Sequence, residues 1–167
     1  MKRMFWAAAL VAALCFASAA PVAAADPLRP FGGHDRMVDT FTPPTACPAG
    51  ALWRYSGSGT GLFLHLGNAS VSVTHCTFVD LASGTFTFGP GTGTLTAANG
   101  DELWDVYLGS GQVVNTPDGP MSVFDITWEV VGGTGRFEGA TGAGTAHGSA
   151  LLSTGITEAS YEGEIAY

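Results

Sequence analysis

From residue 51 onward this chain is built of short runs in which apolar and polar side chains alternate. No window of ten or more residues carries a helical period. β-Branched and aromatic residues fill the runs, and Gly, Asn and Pro separate them, the pattern of strands joined by turns. It predicts eight strands, near 51–59, 61–67, 69–78, 84–97, 101–109, 121–131, 141–152 and 156–166, the fourth broken near Gly89-Pro90-Gly91. In the sixth, Phe124, Ile126, Trp128 and Val130 share one face and Asp125, Thr127 and Glu129 the other, so the first set is the expected core. In the last, Tyr161, Ile165 and Tyr167 oppose Glu158, Ser160, Glu162 and Glu164. The fifth is ambiguous, with Leu103, Asp105 and Tyr107 on one face and Glu102, Trp104, Val106 and Leu108 on the other. An inward Asp105 needs a partner and would have a raised pKa. An outward Trp104, Val106 and Leu108 stripe implies a subunit or ligand contact.

The connections are short. Asn99-Gly100 suits a type I′ hairpin turn, whose two central residues need positive φ. Gly67-Asn68 reads as a second tight connection, and Thr116-Pro117-Asp118-Gly119-Pro120 as a loop. Such links join antiparallel neighbours. Eight strands with no helix to cover a face leave a closed barrel or a sandwich, and closure removes exposed edges.

The N-terminal part has a different character. Lys2 and Arg3, the apolar run Met4 to Ala13 and the small residues Ala23-Ala24-Ala25 form the pattern of a secretory signal peptide over residues 1–25, cleaved before Asp26. The run is shorter than the roughly 20 residues a bilayer span needs, so no membrane span is expected after its removal. Residues 26–50 contain Pro27, Pro30, Pro43, Pro44 and Pro48 and read as an extended Pro-rich leader to a domain over residues 51–167.

Charge and cysteines narrow the setting. Beyond the signal peptide the chain keeps Arg29, Arg36, Arg54 and Arg136, no lysine and all fourteen carboxylates, a net charge of −10. That excludes nucleic acid and anionic membrane surfaces as partners, since both require basic patches. Cys47 and Cys76 form an even pair, expected as a disulfide in a periplasmic or extracellular compartment and contributing roughly 3 kcal/mol through loop closure.

One motif is more specific. Seven glycines fall between Gly132 and Gly148, within Gly132-Gly133-Thr134-Gly135-Arg136-Phe137-Glu138-Gly139-Ala140-Thr141-Gly142-Ala143-Gly144. With Thr94-Leu95-Thr96-Ala97-Ala98-Asn99-Gly100-Asp101 before it, this stretch resembles the secreted bacterial relatives of the allene oxide cyclase and dirigent barrels. The resemblance covers roughly Trp53 to the C-terminus. It implies an all-β, closed eight-stranded antiparallel β-barrel of the calycin or allene oxide cyclase-like kind. It also implies an apolar cavity open at one end, used without metal or cofactor. Within the motif, Phe137 is expected as a plug, and Arg136 and Glu138 as a pair or a brace for the turn.

The candidate chemistry lies on the strands. Asp105 with Tyr107 is the leading polar pair for an apolar cavity: a desolvated carboxylate can serve as general base, and a tyrosine can orient a carbonyl or epoxide oxygen. Trp53, Tyr55 and Trp128 either line the cavity or fill the barrel. His65, His75 and His147 are read as satisfied or rim residues rather than metal ligands, and no metal is expected. Two functions follow. One is binding of a small hydrophobic molecule, extending to a cofactor-free cyclase or isomerase, which requires a cavity of a few hundred Å³. The other is a non-enzymatic extracellular or envelope scaffold with a filled interior, whose self-association would run through Trp104, Val106 and Leu108.

Overall fold

Side chains that alternate along a strand fall on opposite faces of a sheet, and curling the sheet puts one face inside. The computed structural model describes residues 26–167, and the expected signal peptide lies outside the described residues. Eight strands follow one another: β1 (Arg29–Thr42), β2 (Trp53–Phe63), β3 (Gly67–Asp80), β4 (Thr85–Ala97), β5 (Glu102–Thr116), β6 (Gly119–Gly133), β7 (Thr141–Leu151) and β8 (Ile156–Ala166). Each pairs antiparallel with its neighbours in sequence. β1 also pairs with β8, from Arg29↔Ile165 to Val38↔Ile156, which closes the barrel. The expected all-β, closed eight-stranded antiparallel architecture is the observed one. No helix among the described residues is long and apolar enough to cross a membrane.

The count of eight is reached differently from the expectation. The segments 51–59 and 61–67 are one strand, β2, and the Pro-rich leader supplies the missing one, β1. The barrel therefore starts at Arg29, not near residue 51. Gly59, at the end of the first expected segment, faces β1 so closely that a Cβ there would strike the Arg36 carbonyl and Met37. Its glycine is a packing requirement, not a turn signal. The expected loop at 116–120 shrinks to a hairpin turn between Thr116 and Gly119, and the turn near Gly67 falls one step earlier, over 64–66.

The two ends differ. At one end Phe137, with no exposed surface, plugs the barrel from a short 3-10 turn at Gly135–Phe137. Its ring packs on Tyr167 at 4.9 Å between centroids. Of the two expectations for Arg136, pairing with Glu138 or bracing the turn, the second is nearer: it pairs with Asp101 of the β4–β5 connection at 3.5 Å. The Gly132 region forms a bulge, where the β5–β6 register shifts between Trp104↔Gly132 and Asp105↔Val130, and the 3-10 turn then leads into β7. A second irregularity falls at Gly89 to Gly91 of β4, where the break was expected. The opposite end is ringed by the β1–β2, β3–β4, β5–β6 and β7–β8 connections. There the Cys47–Cys76 disulfide (Cα–Cα 5.7 Å) ties the segment after β1 to β3, as expected from the cysteine count.

Candidate functional site

The interior above the plug is not filled. A cavity of about 350 Å³ runs up from a floor containing Phe31, Leu103, Val130 and Trp128. It opens between Phe41, Leu81, Val113 and Leu152, all exposed, Leu81 at 83 %. Trp128 lies across the floor, its indole N–H donating to the Thr145 carbonyl at 3.0 Å. Large inward rings fit because they lie over glycines one or two strands away. A Cβ at Gly144 or Gly163 would meet the Trp128 indole, and one at Gly91 would meet the Tyr107 ring. The scaffold reading called for a filled interior, and the barrel does not have one.

Asp105 resolves the ambiguity of the fifth strand. β5 turns Leu103, Asp105 and Tyr107 inward, and the Asp105 carboxylate lies over Gly93 of β4, where any Cβ would collide with it. Among the described residues it has no hydrogen-bond partner, and burial pushes its pKa from 3.8 up to about 7. Two residues on, the Tyr107 hydroxyl lies 2.9 Å from His75 Nδ1. Burial, reinforced by the Asp105 charge, drives the tyrosine's pKa upward, and burial lowers His75 from 6.5 to about 4. Both are therefore neutral near pH 7, and one donates to the other. His75 is packed in place by rings on both sides, stacked on Tyr55 at 4.5 Å and on Phe88 at 4.6 Å. It sits on β3 opposite the irregular Gly89–Gly91 stretch of β4, a type of feature that re-aims side chains toward sites.

Two further carboxylates, both on β1, accept hydrogen bonds from neighbouring strands. Tyr55 donates to Asp39 Oδ1 at 2.8 Å and Thr157 donates to Asp39 Oδ2 at 2.9 Å, so both oxygens of that carboxylate are used. Deeper in, Tyr161 donates to Asp35 Oδ2 at 2.9 Å. Asp35 Oδ1 has no partner, and burial raises this carboxyl to about 6.

The expected site residues thus come together on one cavity: Asp105, Tyr107, Tyr55, Trp53 and Trp128 all line it. Trp53 stands near the mouth against Phe41, with rings 5.7 Å apart, and its indole N–H is unpaired. The histidines do not converge. His75 is inside, His65 reaches the Pro30 carbonyl at 2.9 Å from a turn, and His147 bonds Asp125 on the outer surface. No cluster of three metal-ligating side chains forms among the described residues. On the outer face of β5, Trp104 is 38 % and Leu108 58 % exposed, with Val106 half-buried between them. Sequence reasoning missed Asp39 and Asp35, because both sit on β1 within the Pro-rich leader. The signal present was the alternation Phe31, Asp35, Met37, Asp39 against His34, Arg36 and Val38.

Comparison with family models, with curated proteins and with solved structures finds no match to this chain. What the fold and the site define is a class: a closed antiparallel barrel with a one-ended apolar cavity and an unpaired carboxyl inside.

Proposed function

We propose that this protein works outside the cytoplasm and holds one small hydrophobic molecule in the barrel. We further propose that it acts on that molecule as a cofactor-free isomerase or cyclase of the allene oxide cyclase or dirigent type. The observation that carries the reading is the unpaired Asp105 carboxyl aimed into an open, otherwise apolar cavity. Asp105 is half-buried, and a carboxyl drawn out of bulk water without a protein partner is a cost to the fold. Such costs persist where a ligand completes the site. With a pKa of about 7 it can take a proton from a bound molecule and return it at another atom, which conserves the atoms of an isomerisation. The Tyr107 hydroxyl, held by His75, is placed to orient a ligand oxygen. The walls contribute by holding one conformer, and positioning alone removes a large part of a barrier.

The disulfide supports an oxidising compartment. The half-exposed Trp104 and exposed Leu108 support a secondary role for the outer face of β5 in self-association.

The test is mass spectrometry of small molecules that co-purify with residues 26–167. An apolar compound near one per chain is the expected result. Protein that carries none, and that also leaves added aromatic probes unbound, would overturn the reading.

A further inference from the structure

The fold distributes its charges unevenly between interior and surface, and that distribution bears on the charge of the ligand. Among the described residues the four cations are all engaged outside the cavity. Arg29 stacks over the Tyr167 ring at 4.8 Å, and Arg36 pairs with Glu158 at 3.3 Å. Arg54 donates to Thr74 at 3.3 Å, and Arg136 pairs with Asp101 at 3.5 Å. None of them lines the cavity, whose ionisable side chains are Asp39, Asp105, three tyrosines and His75. Asp39 already accepts one hydrogen bond on each oxygen, from Tyr55 and Thr157, whereas no side-chain donor reaches Asp105.

A ligand carboxylate brought into this space would face a like charge with no cation to offset it, in surroundings that screen charge poorly. A protonated amine would find the reverse. Asp105 lacks a hydrogen-bond donor, and an ammonium group supplies up to three, forming the charge-assisted kind of bond. Phe86, Phe88, Tyr107 and Trp128 line the same space, and aromatic rings attract cations where a face is free. We propose that the cavity selects a small apolar molecule bearing one protonated amine, with Asp105 as the group that recognises it. This rests on the ligand-binding reading above and goes further by assigning the ligand's charge.

The groups around Asp105 leave it the main charge to titrate. Across the ladder stand Gly93 of β4 and Val130 of β6. Tyr107 on its own strand and Tyr161 on β8 feel its charge and stay neutral, and His75 on β3 stays neutral above about pH 4. On β1, Asp39 holds one donor on each oxygen near the mouth, and Asp35 titrates near 6 but is bonded to Tyr161, outside the cavity lining.

Three probes of one shape test the assignment on residues 26–167: naphthylmethylamine, naphthylmethanol and naphthoate, titrated at pH 8 by calorimetry. The amine should bind at least about tenfold tighter than the alcohol, equivalent to about 1.4 kcal/mol, and the naphthoate weakest. Asp105→Asn should erase the amine's advantage over the alcohol while leaving alcohol binding in place. In the wild-type protein the same advantage should shrink between pH 8 and pH 5, which keeps the test decisive if the variant fails to fold. Equal binding of all three probes, or preference for naphthoate, would overturn the charge assignment and leave the hydrophobic-ligand reading standing. Failure of all three to bind would overturn both.

Discussion

Replacing Asp105 with Asn should make the protein more stable at neutral and alkaline pH, although it removes the proposed catalytic group. The magnitude follows from the environment of the carboxyl. In the unfolded chain it ionises near 3.8, and in the barrel near 7, because burial with no partner disfavours the charged form. Between those values the native state holds a proton that the unfolded state has released, so unfolding becomes easier as pH rises. Each pH step across that window is worth about 1.4 kcal/mol, which amounts to about 4 kcal/mol from pH 4 to pH 8. That is a large share of the roughly 5–15 kcal/mol that stabilises a domain. Asparagine has nearly the same shape and no charge to bury. Its own desolvation cost is independent of pH, as is any packing change, so both cancel when the variant-minus-wild-type difference is compared across pH. Asp35, raised to about 6, titrates in both proteins and cancels to first order. The assay is urea unfolding followed by tryptophan fluorescence at pH 4, 6 and 8, with linear extrapolation. The difference should move by about 4 kcal/mol in favour of the variant, most of it between pH 4 and pH 7. A difference that stays constant with pH would show that Asp105 ionises normally and that its half-buried place in the cavity wall does not disfavour the charge.

Gly93→Ala should retain the far-UV circular dichroism of the barrel yet displace the Asp105 carboxylate, since the new Cβ occupies its place. Naphthylmethylamine affinity is then expected to fall at least about tenfold by calorimetry, and unchanged affinity would place the ligand elsewhere. Phe137→Ala removes a ring with no exposed surface from the closed end. It should lower the unfolding free energy by about 3–5 kcal/mol, read from the urea midpoint. Changing Cys47 and Cys76 together to Ser should cost roughly 3 kcal/mol by the same assay, because the bridge closes a loop with a sequence separation of 29. A loss much smaller than this would mean that the segment after β1 is held by its other contacts.

Much of the barrel could be read from local pattern. The inward face of β6, the Tyr161 and Ile165 face of β8, the hairpin at Asn99-Gly100 and the cysteine pair each depend on residues close in sequence or on simple parity, although only Gly100 of that turn has positive φ, so it is not the expected type I′. β1 was hidden because its inward positions include Gly33, Asp35 and Asp39, which breaks the apolar alternation that marks a strand. Its stability comes instead from ladders to β2 on one side and β8 on the other. The glycines of β2 misled for a related reason. Gly57 lies under the Tyr55 ring of its own strand, and Gly59 lies against β1, a contact that exists only once those strands have paired.

Asp105 and Tyr107 were visible as a polar pair on one face of a strand. Which face pointed inward was not, because Trp104, Val106 and Leu108 offered an equally apolar alternative. The Glu102 carboxylate, which accepts the Trp104 indole N–H at 2.8 Å, helps make the outward placement tolerable. The sequence by itself determined the strands from β3 onward, the acidic balance, the disulfide and the glycine-rich corner, since these follow from period, composition and backbone freedom. Only the tertiary structure decided that the barrel closes through β1, that its interior stays open, and that Asp105 is left without a partner. Those three facts depend on which side chains meet across the barrel, distances set by closure and register rather than by any neighbour along the chain.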